Sequence, residues 1–123
     1  MRQKDLLGLE GERLAENYLR SKGLQIIARR ARTSAGEIDL VATTGSEVVF
    51  VEVKTRRGHG FGAPEESITY AKRVRLRRSA FAWMDRSRTA NIPYRIDIIA
   101  ITIGAPGAAP QIDHFMNAVG EAG

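Results

Sequence analysis

The chain contains no cysteine. That excludes a disulfide framework, a thiolate zinc site and a cysteine nucleophile. It agrees with a reducing compartment, and the cytoplasm is the expected location. No apolar run approaches the ~18 residues of a membrane-spanning helix. The opening stretch MRQKDLLGLEGERLAENYL holds acidic residues where a secretion signal would hold its apolar core. Internal repeats and long low-complexity segments are also missing.

The 123 residues that are present amount to one domain, expected to span residues 1–123. Apolar residues make up 43% and charged residues 27%, the balance of an ordinary globular chain rather than a disordered one. A domain of this size buries enough surface to fold without staples. Lys and Arg total 19 against 14 Asp and Glu, leaving a net charge of +5. Most of the basic residues are arginine. A small, basic, arginine-rich domain points to a polyanionic partner, most often nucleic acid.

Residues 1–7 read as a short lead, and Gly8 to Lys22 as a helix. Leu14 and Tyr18, like Ala15 and Leu19, are four apart and give an apolar stripe. Glu12 and Glu16 share another face. Gly23 is a helix stop. Three strand-like runs follow: Leu24 to Arg32, Glu37 to Thr43 after the turn Ser34-Ala35-Gly36, and Glu47 to Thr55. Residues 56–66 read as a Gly/Pro loop. Ser67 to Asp85 reads as a second helix, with Val74, Phe81 and Met84 expected roughly on one face. Strands are expected over Tyr94 to Ile103 and Gln111 to Phe115. The order implies an α/β fold: a mixed β-sheet of about five strands flanked by α-helices.

The middle hairpin admits a register calculation, with the turn at Gly45-Ser46 or at Thr44-Gly45; Glu37, Asp39, Glu52 and Lys54 share a face in either, and only a one-residue slip separates the acids. If Gly45-Ser46 is the turn, Asp39 faces Glu52, Glu37 faces Lys54, and Val41 faces Phe50. Side chains alternate along a strand, so Glu37, Asp39, Glu52 and Lys54 share one face. Two carboxylates opposite each other repel, and partial burial strips their hydration. A hard divalent cation compensates well, because Mg²⁺ takes carboxylate oxygens and keeps several waters. Two acids and a lysine around such an ion can activate water and neutralise charge on a phosphodiester. The bland alternative is a wet polar row on a half-exposed sheet.

The chain resembles the YraN-like family of the PD-(D/E)xK nuclease superfamily. The likeness covers nearly the whole chain. It runs through Gly8, Gly11-Glu12, Ala15, Tyr18-Leu19, Gly23, Arg32 and Gly36-Glu37-Ile38-Asp39-Leu40. Its centre is Phe50-Val51-Glu52-Val53-Lys54-Thr55-Arg56. Phe61-Gly62, Pro64, Lys72 and Arg95-Ile96-Asp97 follow. Ile38 stands where the motif's name has proline. The resemblance implies a restriction-endonuclease-like fold, similar to archaeal Holliday-junction resolvases. It implies that Asp39, Glu52 and the carbonyl of Val53 hold Mg²⁺, with Mn²⁺ as a substitute. It implies that Lys54 orients or activates the attacking water and that Glu12 reaches the metal site from the first helix.

Arg56 and Arg57, beside the motif, and Arg73 and Arg77, in the arginine cluster of the second helix, are candidate phosphate contacts. His59 reads as an exposed loop residue and His114 as structural. Phe81 and Trp83 are expected in the core or a dimer contact rather than stacked on bases. Arg95 and Asp97 are expected to form a salt bridge within the fold.

The reading that results is a Mg²⁺-dependent DNA endonuclease, acting on branched or structured DNA. A homodimer and a DNA-processing protein partner are compatible with it, and a membrane is not involved. The alternatives are an inactive nucleic-acid-binding module and an adaptor for a DNA-processing partner.

Overall fold

The computed structural model describes residues 3–58, 68–89 and 91–119. Helix α1 (Gln3–Ser21) leads into strands β1 (Gln25–Thr33), β2 (Gly36–Thr43) and β3 (Val48–Arg57). Helix α2 (Tyr70–Arg86) follows, then β4 (Tyr94–Ile103) and β5 (Gln111–Phe115). The five strands form one sheet in the order β1-β2-β3-β4-β5. β3 and β4 are parallel and the other pairs antiparallel. A parallel pair needs a crossover, and α2 lies in that connection. The expected α/β architecture, a mixed five-stranded sheet flanked by helices, is the one observed.

Each helix covers one face. Ala15 and Leu19 of α1 pack with Leu40, Val49, Val51, Ile99 and Ile101. Leu76, Ala80 and Met84 of α2 pack with Val41, Phe50, Ile96 and Ile98. Along β3, Val49 and Val51 therefore point one way and Phe50 the other, the two-residue alternation of a central strand buried on both sides.

Helix α1 starts at Gln3 rather than Gly8. The lead residues are good helix formers, and Asp5 in the first turn complements the helix dipole. The helix ends as the sequence implies. Leu24 N–H donates to the Leu19 carbonyl and Gly23 N–H to that of Arg20, with Gly23 at φ 91°. Gly11 is where α1 touches the sheet, because an added Cβ would run into the Thr55 hydroxyl.

Helix α2 is capped by Thr69, whose hydroxyl accepts the Lys72 amide. Its buried face is Leu76, Ser79, Ala80 and Met84. Val74, Phe81 and Met84, expected roughly on one face, differ in burial: Met84 is buried, Val74 half-buried and Phe81 67% exposed. Three residues advance a helix by ~300°, so Phe81 stands about 60° around the axis from Met84, just past the edge of the buried arc. Trp83 does pack on the core, edge to face with Phe50 at 5.6 Å.

Asp97 is fully buried. Arg95 Nε donates to it at 3.0 Å and the Asn117 amide at 2.8 Å, while His114 Nε2 lies 2.7 Å away. Arg95 also reaches Glu47 at 2.7 Å, and His114 Nδ1 meets the Tyr18 hydroxyl at 3.2 Å. The expected Arg95–Asp97 bridge and structural His114 are thus both present, joining α1, β3's approach, β4 and β5.

Candidate functional site

β2 and β3 pair from Thr43↔Val48 to Leu40↔Val51, the register that a Gly45-Ser46 turn predicts. Gly45 holds φ 104°, and the Thr44 hydroxyl accepts the Glu47 amide, which tightens the turn. The ladder stops at Leu40↔Val51. The backbone pairings Asp39↔Glu52 and Glu37↔Lys54 expected from the sequence do not form. Instead Val53 N–H donates to Asp39 Oδ2 at 2.8 Å. A carboxylate takes the amide that a strand carbonyl would have taken.

Asp39 is also missing from the β1 register, which passes from Arg29↔Leu40 to Ala31↔Ile38. The neighbouring Arg30 has φ 46°, a strained value for a residue with a Cβ. Ile38 and Val41 both enter the core under α2, whereas Leu40 enters the one under α1. The alternation of β2 is therefore broken at Asp39 and Leu40. Asp39 sits at this break, half-buried and outside both strand registers.

The two motif carboxylates still come together: Glu52 lies near enough to Asp39 to act on its carboxyl. Glu52 is 9% exposed. Burial pushes the Asp39 carboxyl up to about 7; the neighbouring Glu52 pushes the same way, and the Val53 amide opposes them. Lys54 lies beside the pair and feels both charges. Its ammonium is held below the ordinary lysine range, by burial first and then by Lys72 of α2. The two like charges bring the start of α2 near the site.

Glu12 approaches from α1, near enough for the Asp39 charge to act on it. Burial raises its carboxyl, and a 3.0 Å ion pair with Arg30 counters that. Glu37 is largely exposed and lies 3.7 Å from Arg32. Among the described residues, no group of three or more acidic or histidine side chains is close enough to hold a metal ion. Asp39, Glu52 and Lys54 are thus brought together, with Glu12 at the edge and joined to an arginine.

The expected phosphate contacts scatter. Arg56 is half-buried and its Nε donates to the Thr102 hydroxyl at 3.4 Å. Arg57 is exposed at the end of β3. Arg73 and Arg77 are half-buried on the flanks of α2, whereas Arg75, Arg78 and Arg86 are its exposed arginines. His59, Phe61, Gly62 and Pro64 lie outside the described residues. Two residues gain a place at the site that the sequence did not assign: Lys72, which acts on Lys54, and Arg30, which holds Glu12. Neither carries a local signal, since both act across elements.

The model of the family described as "Uncharacterised protein family UPF0102" matches residues 11–101. A UPF0102 protein of Rhodococcus opacus (strain B4) is 46% identical over 112 residues, covering 91% of this chain and 94% of its own. One from Nocardia farcinica (strain IFM 10152) is 44% identical, covering 91% and 87%. Among solved structures, Pyrococcus furiosus SfsA in complex with Ca²⁺ aligns at 13% identity and a TM-score of 0.38, covering 92% of this chain and 63% of that one. The family match and the relatives agree over nearly the same span, so this chain belongs to the UPF0102 family, the one its YraN-like resemblance indicated.

Proposed function

We propose that this chain is a restriction-endonuclease-like, Mg²⁺-dependent nuclease that hydrolyses phosphodiester bonds in DNA and works in the cytoplasm. One observation carries the reading: the half-buried Asp39, held by the Val53 amide, and the buried Glu52 of the adjacent strand come together beside Lys54. That arrangement is unfavourable for folding alone. Burial first, then the neighbouring Glu52, pushes the Asp39 carboxyl up to about 7.

The donor set fits a hard cation. Asp39, Glu52 and the Val53 carbonyl are all oxygen donors, and Mg²⁺ is commonly held by one or two carboxylates with waters completing its shell. A third protein carboxylate is not required, which agrees with Glu12 being joined to Arg30. When bound, the ion supplies positive charge against the phosphoryl oxygens.

The chain's own groups do the rest. Asp39 is fixed by the Val53 amide, so its free oxygen is aimed without rotamer loss. Glu52 is held against it. Lys54 donates to a phosphate oxygen or to the attacking water, at the place where negative charge develops. Lys72 adds a second cation on the α2 side.

A non-cleaving nucleic-acid binder is the second reading. It is favoured by the lack, among the described residues, of a preformed three-ligand group. Labelled linear, flapped and four-way DNA incubated with Mg²⁺, Mn²⁺ or EDTA separates the two. Cleavage that needs metal and disappears in both Asp39→Asn and Lys54→Ala establishes the nuclease. Salt-sensitive binding without cleavage on any substrate overturns it in favour of the binder.

A further inference from the structure

We propose that the outward face of α2 is a platform for single-stranded nucleic acid, with bases stacked on Tyr70 and Phe81 and phosphates held by Arg75 and Arg78. The proposal deepens the nuclease reading, and rests on it for what happens to the strand once bound.

The face is unusual within this molecule. Tyr70 is 65% exposed and Phe81 67% exposed, while the opposite side of the same helix fills the core. Tyr70, Val74, Arg78 and Phe81 follow one another at steps of four, four and three residues, so they form one stripe. The two rings are roughly 16 Å apart along the axis. Beside Tyr70 lies an open groove of about 580 Å³ lined by Ala35, Tyr70, Ala71, Val74, Arg75 and Arg78, with Phe81 beyond it, one turn on from Arg78. Its lining combines the apolar Ala35, Ala71 and Val74 with two arginines.

Charge identifies the occupant. Arg20, Arg29, Arg30, Arg32 and Arg95 each pair with a carboxylate. Arg75 and Arg78 are exposed, and neither forms an ion pair with a described residue. A second copy of the chain docked on this face would set these arginines against their own images. A polyanion neutralises them. The exposed rings then choose the strandedness, because a ring projecting from a helix stacks only on a base whose face is free, and every base offers one. Lys72, in the first turn of α2, acts on Lys54, so the end of the helix that carries Tyr70 approaches the acid pair.

The test is fluorescence anisotropy on the full chain in EDTA, with a labelled deoxythymidine oligomer, a uridine oligomer and a duplex of equal length. The expected result is tighter binding of single strands than of duplex, and the tighter of the two oligomers names the sugar. Tyr70→Ala and Phe81→Ala should each weaken binding roughly tenfold. Arg75→Glu with Arg78→Glu should flatten its salt dependence. Met116→Ala, which removes another exposed side chain, should leave it unchanged. Circular dichroism confirms that each variant folds.

Wild-type affinity in the Tyr70 and Phe81 variants overturns the platform. So does a wild-type dimer in sedimentation that Phe81→Ala dissociates without loss of oligomer binding. The two readings fail separately. Cleavage by the wild type with platform variants that bind and cut normally removes the platform and leaves the nuclease. Oligomer binding that depends on Tyr70 and Phe81, with no cleavage under any metal, keeps the platform and removes the nuclease.

Discussion

The backbone N–H of Val53 donates to Oδ2 of Asp39 at 2.8 Å. An aspartate of β2 is thus gripped by the main chain of the strand that carries Glu52 and Lys54. The contact replaces a ladder bond just past the last registered pair, Leu40↔Val51. It keeps the amide satisfied and brings two carboxylates together, at the expense of regular pairing.

Charge and hydrogen bonding at Asp39 can be separated by substitution. Asp39→Asn keeps an acceptor for the Val53 amide and removes the charge. It should be at least as stable as the wild type at pH 7.5, because the repulsion within the acid pair is gone. Asp39→Ala leaves the amide without its partner and should lose about 1–3 kcal/mol. Urea denaturation of both variants measures the difference, and the DNA cleavage assay should find both inactive.

Glu16 ties α1 to β1. Its carboxylate takes Arg29 Nε at 2.7 Å and Nη2 at 2.8 Å, with Arg20 at 2.9 Å. The hydrogen bonds from Arg29 hold its carboxyl below the ordinary glutamate value. A depressed folded-state pKa means that the unfolded chain binds the proton first. The contribution is therefore complete above the unfolded glutamate pKa and is lost as the pH falls through the folded one. Glu16→Gln should lower stability by about 0.5–1 kcal/mol at pH 7, in the range of exposed pairs. The gap between variant and wild type should close by pH 3. Denaturation curves at the two pH values check it.

Gly11 lets α1 lie against β3. A Cβ there would meet not only the Thr55 hydroxyl but also Thr55 Cβ at 2.7 Å and Cγ2 at 2.8 Å. Gly11→Ala should therefore cost about 1–3 kcal/mol by overpacking, despite alanine's better helix propensity. Adding Thr55→Gly should recover part of that loss. A double-mutant cycle by thermal or urea unfolding reads the coupling.

Asp97→Ala should be the most damaging of these changes. It strands Arg95, His114 and the Asn117 amide around a buried site. Loss of about 3–5 kcal/mol is expected when one partner of a buried charged network is removed. A much smaller drop in urea midpoint would show that the network relaxes onto water.

The strands were the most legible elements. β4 and β5 fall at the bounds that their apolar runs and flanking turns imply. The turn at Gly45-Ser46 set the hairpin register correctly, since two-residue turns admit few pairings. The start of α1 was less legible, because Gly8 reads locally as a breaker while the packed helix tolerates it. Phe81 was misplaced because an aromatic on a helix is ordinarily core, and its exposure depends on which side of α2 meets the sheet.

The sequence by itself determined the helix and strand periods, the family, the basic charge, and the residue types that make a metal-dependent phosphodiester reaction conceivable. Those are properties of local pattern and composition. Only the tertiary structure decided that the β2–β3 ladder ends before Asp39, that Arg30 holds Glu12, that Lys72 acts on Lys54, and that Tyr70 and Phe81 face solvent. Each of these depends on how separate elements pack, and packing energy is summed over contacts that no window of the chain contains.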